Sequence, residues 1–220
     1  METFMRLGGV LGVALLANWP PVTQATAAGV GQAGVNPSSP IPSNFVACPK
    51  AGTVSKGRST LGEYTTHWEG ADPRDPTMCI GKSETSGKSW RRMYAYFDLT
   101  SPWRWQQGED QARTAMGFLL SGLASKGSFS KTLTKPGSSV VQTLRETWER
   151  TGAADVPIGN RTVKAIVFRR IIEGRAASIF LGTQQLWYDP ADHLFIRGHL
   201  DIERGSETNR DFEVTSILPP

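Results

Sequence analysis

The stretch that decides the fold is residues 194–203, which read LFIRGHLDIE. Branched apolar side chains occupy alternate positions, namely Leu194, Ile196, Leu200 and Ile202. The positions between them include Phe195, Arg197, His199 and Asp201. Because successive side chains of a strand point to opposite faces, this alternation predicts a β-strand with one buried face.

Similar segments lie on both sides of this strand. The segment 211–218 follows it, and the segments 59–69, 78–80, 90–99, 139–149, 161–172 and 177–188 precede it. Residues typical of turns separate them, as in Asp72-Pro73, Lys135-Pro136-Gly137, Asp155–Gly159 and Asp189-Pro190. Strands joined by short turns predict an antiparallel, mainly β domain.

One segment has a different period. Residues 108–124 carry apolar side chains three and four positions apart: Ala112, Ala115, Met116, Leu119, Leu120 and Leu123. This spacing predicts one short helix near 110–124, with Glu109 and Asp110 at its favourable N-terminal end. The pattern leaves open whether the helix packs inside or outside the sheet.

The N-terminal residues have the layout of a secretory signal peptide. The apolar run 7–17 is followed by Ala25-Thr26-Ala27, which provides small residues for a cut near Ala27 or Ala28. A membrane anchor is the alternative, but a spanning helix needs about 20 apolar residues. We therefore expect a signal peptide over 1–27, a Gly/Pro/Ser-rich disordered linker over 28–44 and a β domain over 45–220.

The sequence has two cysteines, Cys48 and Cys79. In an exported chain an even count predicts a disulfide, which would constrain the unfolded state by about 3–4 kcal/mol. Two free buried thiols are the alternative.

The last third also carries a pattern seen elsewhere. Trp148 and Gly152 precede Val156-Pro157-Ile158-Gly159, and Leu186-Trp187-Tyr188-Asp189-Pro190 follows the next strand. In this order of motifs the chain resembles a broad group of exported bacterial β-rich envelope proteins of unknown function. The resemblance implies a single curved antiparallel sheet, β-roll or barrel-like, and it implies no activity.

Motifs for catalysis or metal binding are weak. The run 81–89, GKSETSGKS, has one residue too many between its glycines for a phosphate-binding loop. Asp72 and Asp75 lack the spacing of a calcium loop and are explained by turns. The sequence therefore predicts no catalytic residue, no metal site and no cofactor.

Aromatic side chains are the better candidates for a binding site. Trp103 and Trp105 lie two apart in an extended segment and so share a face. Together with Trp187 and Tyr188 they are the predicted ligand-facing aromatics. The alternative is that these rings simply fill the core.

Composition limits the partners. The net charge is +4 with no basic run, so nucleic acid is not expected. No second long apolar stretch predicts a transmembrane segment after the cut. The sequence favours a periplasmic or secreted, non-catalytic protein that binds an apolar ligand, a lipid or an envelope protein. The alternative is a periplasmic hydrolase that pairs His67, His193 or His199 with a carboxylate.

Overall fold

The computed structural model describes residue 42 and residues 45–100, 103–175, 179–205 and 210–220. Within these ranges the chain forms one α-helix, α1 (Glu109–Leu120), and twelve β-strands. The strands are β1 (Val54–Ser59), β2 (Gly62–Asp72), β3 (Asp75–Ser83), β4 (Ser89–Met93), β5 (Phe97–Asp98), β6 (Arg104–Gln107), β7 (Lys126–Thr134), β8 (Val141–Ile158), β9 (Arg161–Arg175), β10 (Leu181–Asp189), β11 (Leu194–Arg204) and β12 (Phe212–Leu218).

All twelve strands belong to one antiparallel sheet with the order β5-β4-β3-β2-β1-β12-β11-β10-β9-β8-β7-β6. The sheet rolls until its two edges approach each other. The Trp105 amide of β6 donates to the Leu99 carbonyl just after β5 at 3.0 Å, and the Phe97 and Trp105 rings lie 5.9 Å apart. No ladder joins β5 to β6 in the described part of the chain, so the sheet is not closed. The predicted fold class, mainly β with one short helix, is confirmed.

The strand expected over 90–99 is wrong, because the chain turns within it. Tyr94 and Ala95 adopt positive φ angles of 55° and 57°, which separate β4 from β5. Tyr94 is fully buried, and its hydroxyl donates to the Arg113 carbonyl at 2.6 Å. This packing overrides the strand preference of an aromatic run.

Other boundaries also differ from the expectation, such as the strand expected over 59–69, which contains the turn between β1 and β2. The turn expected over Asp155–Gly159 is shorter, since β8 continues to Ile158 and the chain reverses at Gly159, where φ is +58°. A β-branched residue at that position would be strained, whereas glycine is not. The strand β7 was not expected, because its inward positions include the charged Lys131.

The helix α1 covers one end of the rolled sheet. It connects β6 to β7, and its buried residues, Ala112, Met116, Gly117, Leu119 and Leu120, face the main core. Arg113 on α1 donates to Asp75 beside the β2–β3 turn at 2.9 Å. The helix therefore lies across the end at which β2 finishes and β7 begins.

Cys48 and Cys79 form a disulfide with a Cα–Cα distance of 5.3 Å, which ties the segment before β1 to β3. The expected signal peptide and linker, 1–44, lie outside the described residues except at position 42. In the described ranges no helix is long and apolar enough to cross a membrane.

Candidate ligand-binding cavity

The end of the sheet opposite α1 contains a cavity of about 750 Å³. Six connections gather there, because the antiparallel order brings β1–β2, β3–β4, β5–β6, β7–β8, β9–β10 and β11–β12 to the same end. Residues in these connections or in the strand ends beside them line the cavity, for example Leu61, Ser83, Trp103, Gln142, Phe180 and Arg210. Leu61 is 92% exposed, which marks this end as the mouth.

The wall nearer the mouth is apolar. It includes a cluster of four buried side chains from β7, β8, β9 and β11: Leu133, Leu144, Ile172 and Leu200. Trp103, Trp105 and Phe180 pack against this cluster and also line the cavity. Such a wall suits the apolar part of a ligand.

A polar layer crosses four neighbouring strands below that wall. It consists of Lys131 on β7, Glu146 on β8, Arg170 on β9 and Gln184 on β10, all of them buried. Lys131, Arg170 and Gln184 line the cavity, whereas Glu146 lies behind them. The cavity therefore has a charged floor under an apolar wall.

Glu146 is the anion that holds the floor together. Arg170 donates two hydrogen bonds to Glu146, from Nε at 2.8 Å and from Nη2 at 2.6 Å. Lys131 Nζ lies 2.5 Å from Glu146 Oε1, and Trp148 Nε1 donates to Oε2 at 2.9 Å. A buried carboxylate is stable only when it is paired and hydrogen-bonded in this way.

Arg170 also connects the floor to the opposite wall. Its Nη1 donates to Gln184 Oε1 at 2.8 Å and to the Tyr96 hydroxyl at 3.0 Å. Tyr96 in turn donates to Gln184 at 2.8 Å. These bonds fix the guanidinium plane at the bottom of the cavity.

The environment favours the charged forms of Glu146 and Arg170 but acts differently on Lys131. Burial alone would raise the pKa of Glu146, but the charges of Arg170 and Lys131 outweigh it and bring the pKa down to about 2. Burial opposes the charge of Arg170, yet Glu146 raises the pKa of that guanidinium above its ordinary value. For Lys131 burial prevails, and the pKa falls below its usual value although Glu146 acts to raise it.

An aromatic core lies below the floor and supports it. Phe129, Trp148, Phe168 and Leu186 are buried there and do not line the cavity. Trp148 is completely buried, with Tyr96 edge-on at 5.9 Å. The floor thus rests on a packed layer, and Leu194 and Phe195 at the start of β11 also line the cavity.

Cations outnumber carboxylates around this space. The lining contains Arg92, Lys131, Arg170 and Arg210 against Asp98 and Asp211. Arg92 stacks on the Trp90 ring at 4.4 Å, and its buried Nε has no hydrogen-bond partner in the part of the chain that the structure describes. Burial lowers the pKa of Arg92.

The predicted aromatics lie in three different places. Trp103 and Trp105 line the cavity. Trp187 lies outside it, with the Arg197 guanidinium 5.7 Å from its ring. Tyr188 is buried and contributes to a different, shallow groove beside Phe45, where its hydroxyl lies 3.2 Å from His193 Nδ1.

The three histidines are dispersed. His199 is bracketed by Asp211 at 2.8 Å and Asp201 at 3.4 Å, and His67 lies 3.6 Å from Glu84. His199 and His67 thus lie beside carboxylates, whereas His193 lies beside the Tyr188 hydroxyl.

The carboxylates considered for calcium are paired with arginines. Asp72 contacts Arg91 at 2.5 Å, and Asp75 contacts Arg113 at 2.9 Å. Among the described residues no group of three or more His, Cys, Asp or Glu side chains is arranged to hold a metal ion.

The sequence analysis did not predict the floor residues, which are Lys131, Glu146, Arg170 and Gln184. For the three charged ones the sequence does contain an indication of burial, since each has a bulky apolar residue two positions before it and another two positions after it. The triplets are Phe129-Lys131-Leu133, Leu144-Glu146-Trp148 and Phe168-Arg170-Ile172. Such a triplet places the charge on the buried face of its strand.

The comparisons with known proteins are few. No protein-family model and no curated protein matches the sequence. Among solved structures, the fold is similar to that of a hypothetical lipoprotein, YmcC, from Escherichia coli (K12). The TM-score is 0.53 at 10% identity, over 76% of this chain and 85% of that chain. At this identity the similarity is one of fold alone.

Proposed function

We propose that this chain is an exported protein of the bacterial envelope that binds an apolar or amphiphilic ligand without catalysing its conversion. The observation that carries the proposal is the cavity of about 750 Å³ with its apolar wall. Its size is typical of sites that enclose a small ligand. The mixed lining suits a molecule with both an apolar and a polar part.

Three features support export. The N-terminal sequence has the signal-peptide layout, with a cut near Ala27 or Ala28. The Cys48–Cys79 disulfide suits an oxidising compartment. The protein of similar fold, YmcC, is described as a lipoprotein. Residues 45–220 would then form the mature β domain behind a linker over 28–44.

Native mass spectrometry of the protein purified from its own periplasm tests both parts. We expect a polypeptide that begins at residue 28 or 29, together with a lipid-sized adduct that is lost on denaturation. A precursor that still begins at Met1 and is recovered only from the cytoplasm would contradict export.

A neutral dye such as Nile red tests the cavity separately. We expect wild-type protein to enhance its fluorescence and Leu200→Trp, which fills the apolar wall, to abolish that enhancement. Val141→Trp is the matched control, since Val141 is 55% exposed and does not line the cavity. Equal enhancement by both variants would contradict binding at this site.

Hydrolysis remains the second candidate. The observation that favours it is His199, which pairs with Asp211 at the cavity lining. Release of 4-nitrophenol from short acyl esters, lost in His199→Ala, would favour hydrolysis over simple binding. Equal rates for His199→Ala and wild type would exclude this histidine as the catalytic base.

A further inference from the structure

The polar layer at the cavity floor specifies the ligand more narrowly. We propose that the cavity takes an anionic amphiphile, with its acidic head on Lys131 and Arg170 and its alkyl chain along the apolar wall towards the mouth. The inference rests on the proposed binding function and names the class of ligand.

The order of the layers along the cavity sets the direction of the ligand. The apolar residues Leu133, Leu144 and Leu200 lie nearer the mouth, and the cations lie deeper. A purely apolar ligand would leave its inner end against charged groups, which is unfavourable. A ligand that enters head first matches both layers.

The charge of the floor selects an anion. Glu146 carries one negative charge and contacts two basic side chains, Lys131 and Arg170. Glu146 lies behind the two cations and does not line the cavity, so the groups presented to a ligand are donors. An acidic head would supply the second negative charge that the layer lacks.

The donors have capacity for such a head. An ammonium group has three N–H donors. Lys131 directs its Nζ to one carboxylate and lies 4.4 Å from the Trp105 ring. Arg92 also lines the cavity, and among the described residues its buried Nε has no hydrogen-bond partner, which is rare for a native polar group. An anionic head would accept hydrogen bonds from Lys131 and add to the charge balance of Arg92.

Displacement of Nile red by three ligands of one chain length provides the test. The ligands are decanoate, decanol and decyl phosphate. We expect decanoate to bind about tenfold more tightly than decanol, since a hydrogen bond to a charged group discriminates by at least that factor. Decyl phosphate separates the sources of the head: tighter binding than decanoate indicates a monoacyl phosphate lipid, and weaker binding indicates a free fatty acid.

Lys131→Met is the decisive variant. We expect it to bring the affinity for decanoate down to that for decanol and to leave decanol unchanged. Lys126→Met is the matched control, because Lys126 is an exposed residue of the same strand. If Lys131→Met fails to fold, Arg92→Met tests the same preference from the other wall, and a smaller ratio of the two affinities is expected.

The outcomes separate the two proposals. Equal binding of decanoate and decanol by wild type would overturn the anionic head while leaving the binding cavity in place. Failure of all three ligands to displace the dye would overturn both. A preference for decanoate that survives in both Lys131→Met and Arg92→Met would show that the head lies elsewhere and would overturn the assignment.

Discussion

Replacing Glu146 by glutamine removes the anion that holds the cavity floor together. The fold lowers the pKa of Glu146 from 4.5 to about 2. That difference corresponds to about 3 kcal/mol of stability carried by the charged form. Breaking a buried ion pair from one side costs about 3–5 kcal/mol, because the remaining charges are left without compensation. Both routes predict a loss of about 3 kcal/mol or more for Glu146→Gln.

Urea unfolding at pH 7, monitored by tryptophan fluorescence, measures this loss. In thermal unfolding, a loss of about 3 kcal/mol should lower the melting temperature by about 6–12 °C in a domain of this size. Glu149→Gln is the matched control, since Glu149 pairs with Arg169 on the exposed face and such a pair contributes about 0–1 kcal/mol. Equal losses in the two variants would refute the reasoning.

The pH dependence of the free energy of unfolding provides a second test of the role of Glu146. Because the folded pKa lies below the unfolded value, the stabilisation from Glu146 is present above pH 4.5 and is lost as the pH falls towards 2. Wild type should therefore lose about 3 kcal/mol more than Glu146→Gln across that interval. Parallel curves for the two proteins would contradict the assignment.

Three further predictions concern the frame around the cavity. Replacing Cys48 and Cys79 by alanine should cost about 3–4 kcal/mol, and hydrogen exchange should show the N-terminal strands opening first; equal loss of protection in the C-terminal strands would contradict this. Gly198→Ala should cost about 1–2 kcal/mol, since a Cβ there would lie 2.3 Å from the Phe212 ring, and a variant with unchanged protection of β12 would count against it. Phe168→Ala should cost about 3–5 kcal/mol in urea unfolding, because it opens a hole in the core below the floor; a loss under about 1 kcal/mol would show that the core collapses around it.

The sequence predicts the sheet well because the strands alternate clearly. Leu194–Arg204 has a buried side chain at nearly every second position, as its pattern indicates. The helix was predicted for the same reason, since its apolar residues recur three and four positions apart. Where the hydrophobic period of a segment matches the face that it buries, the sequence alone predicts the type of secondary structure.

The failures occur where tertiary contacts decide. The run around Tyr94 and Ala95 favours a strand locally, but the Tyr94 hydroxyl is held by α1 and the chain turns. The strand β7 was not predicted, and its inward-facing Lys131 is paired with Glu146 from the neighbouring strand. In both cases the deciding partner, Arg113 for Tyr94 and Glu146 for Lys131, lies in a different segment of the sequence.

The cavity could be predicted only in part. The pair Trp103 and Trp105 was singled out by its spacing, and both residues line the cavity. The floor was not foreseen, because the inward positions of four separate strands come together only once the register is known. The charged residue between two apolar neighbours in each of β7, β8 and β9 is nevertheless a local sign of it.

A crystal structure with 10-bromodecanoic acid tests the central claim most directly, since anomalous scattering locates the bromine at the end of the alkyl chain. We predict the carboxylate within hydrogen-bond distance of Lys131 Nζ and the bromine near the mouth, beside Leu61 or Phe180. A bromine seated against Lys131 and Arg170, with the carboxylate at the mouth beside Arg210, would contradict the account.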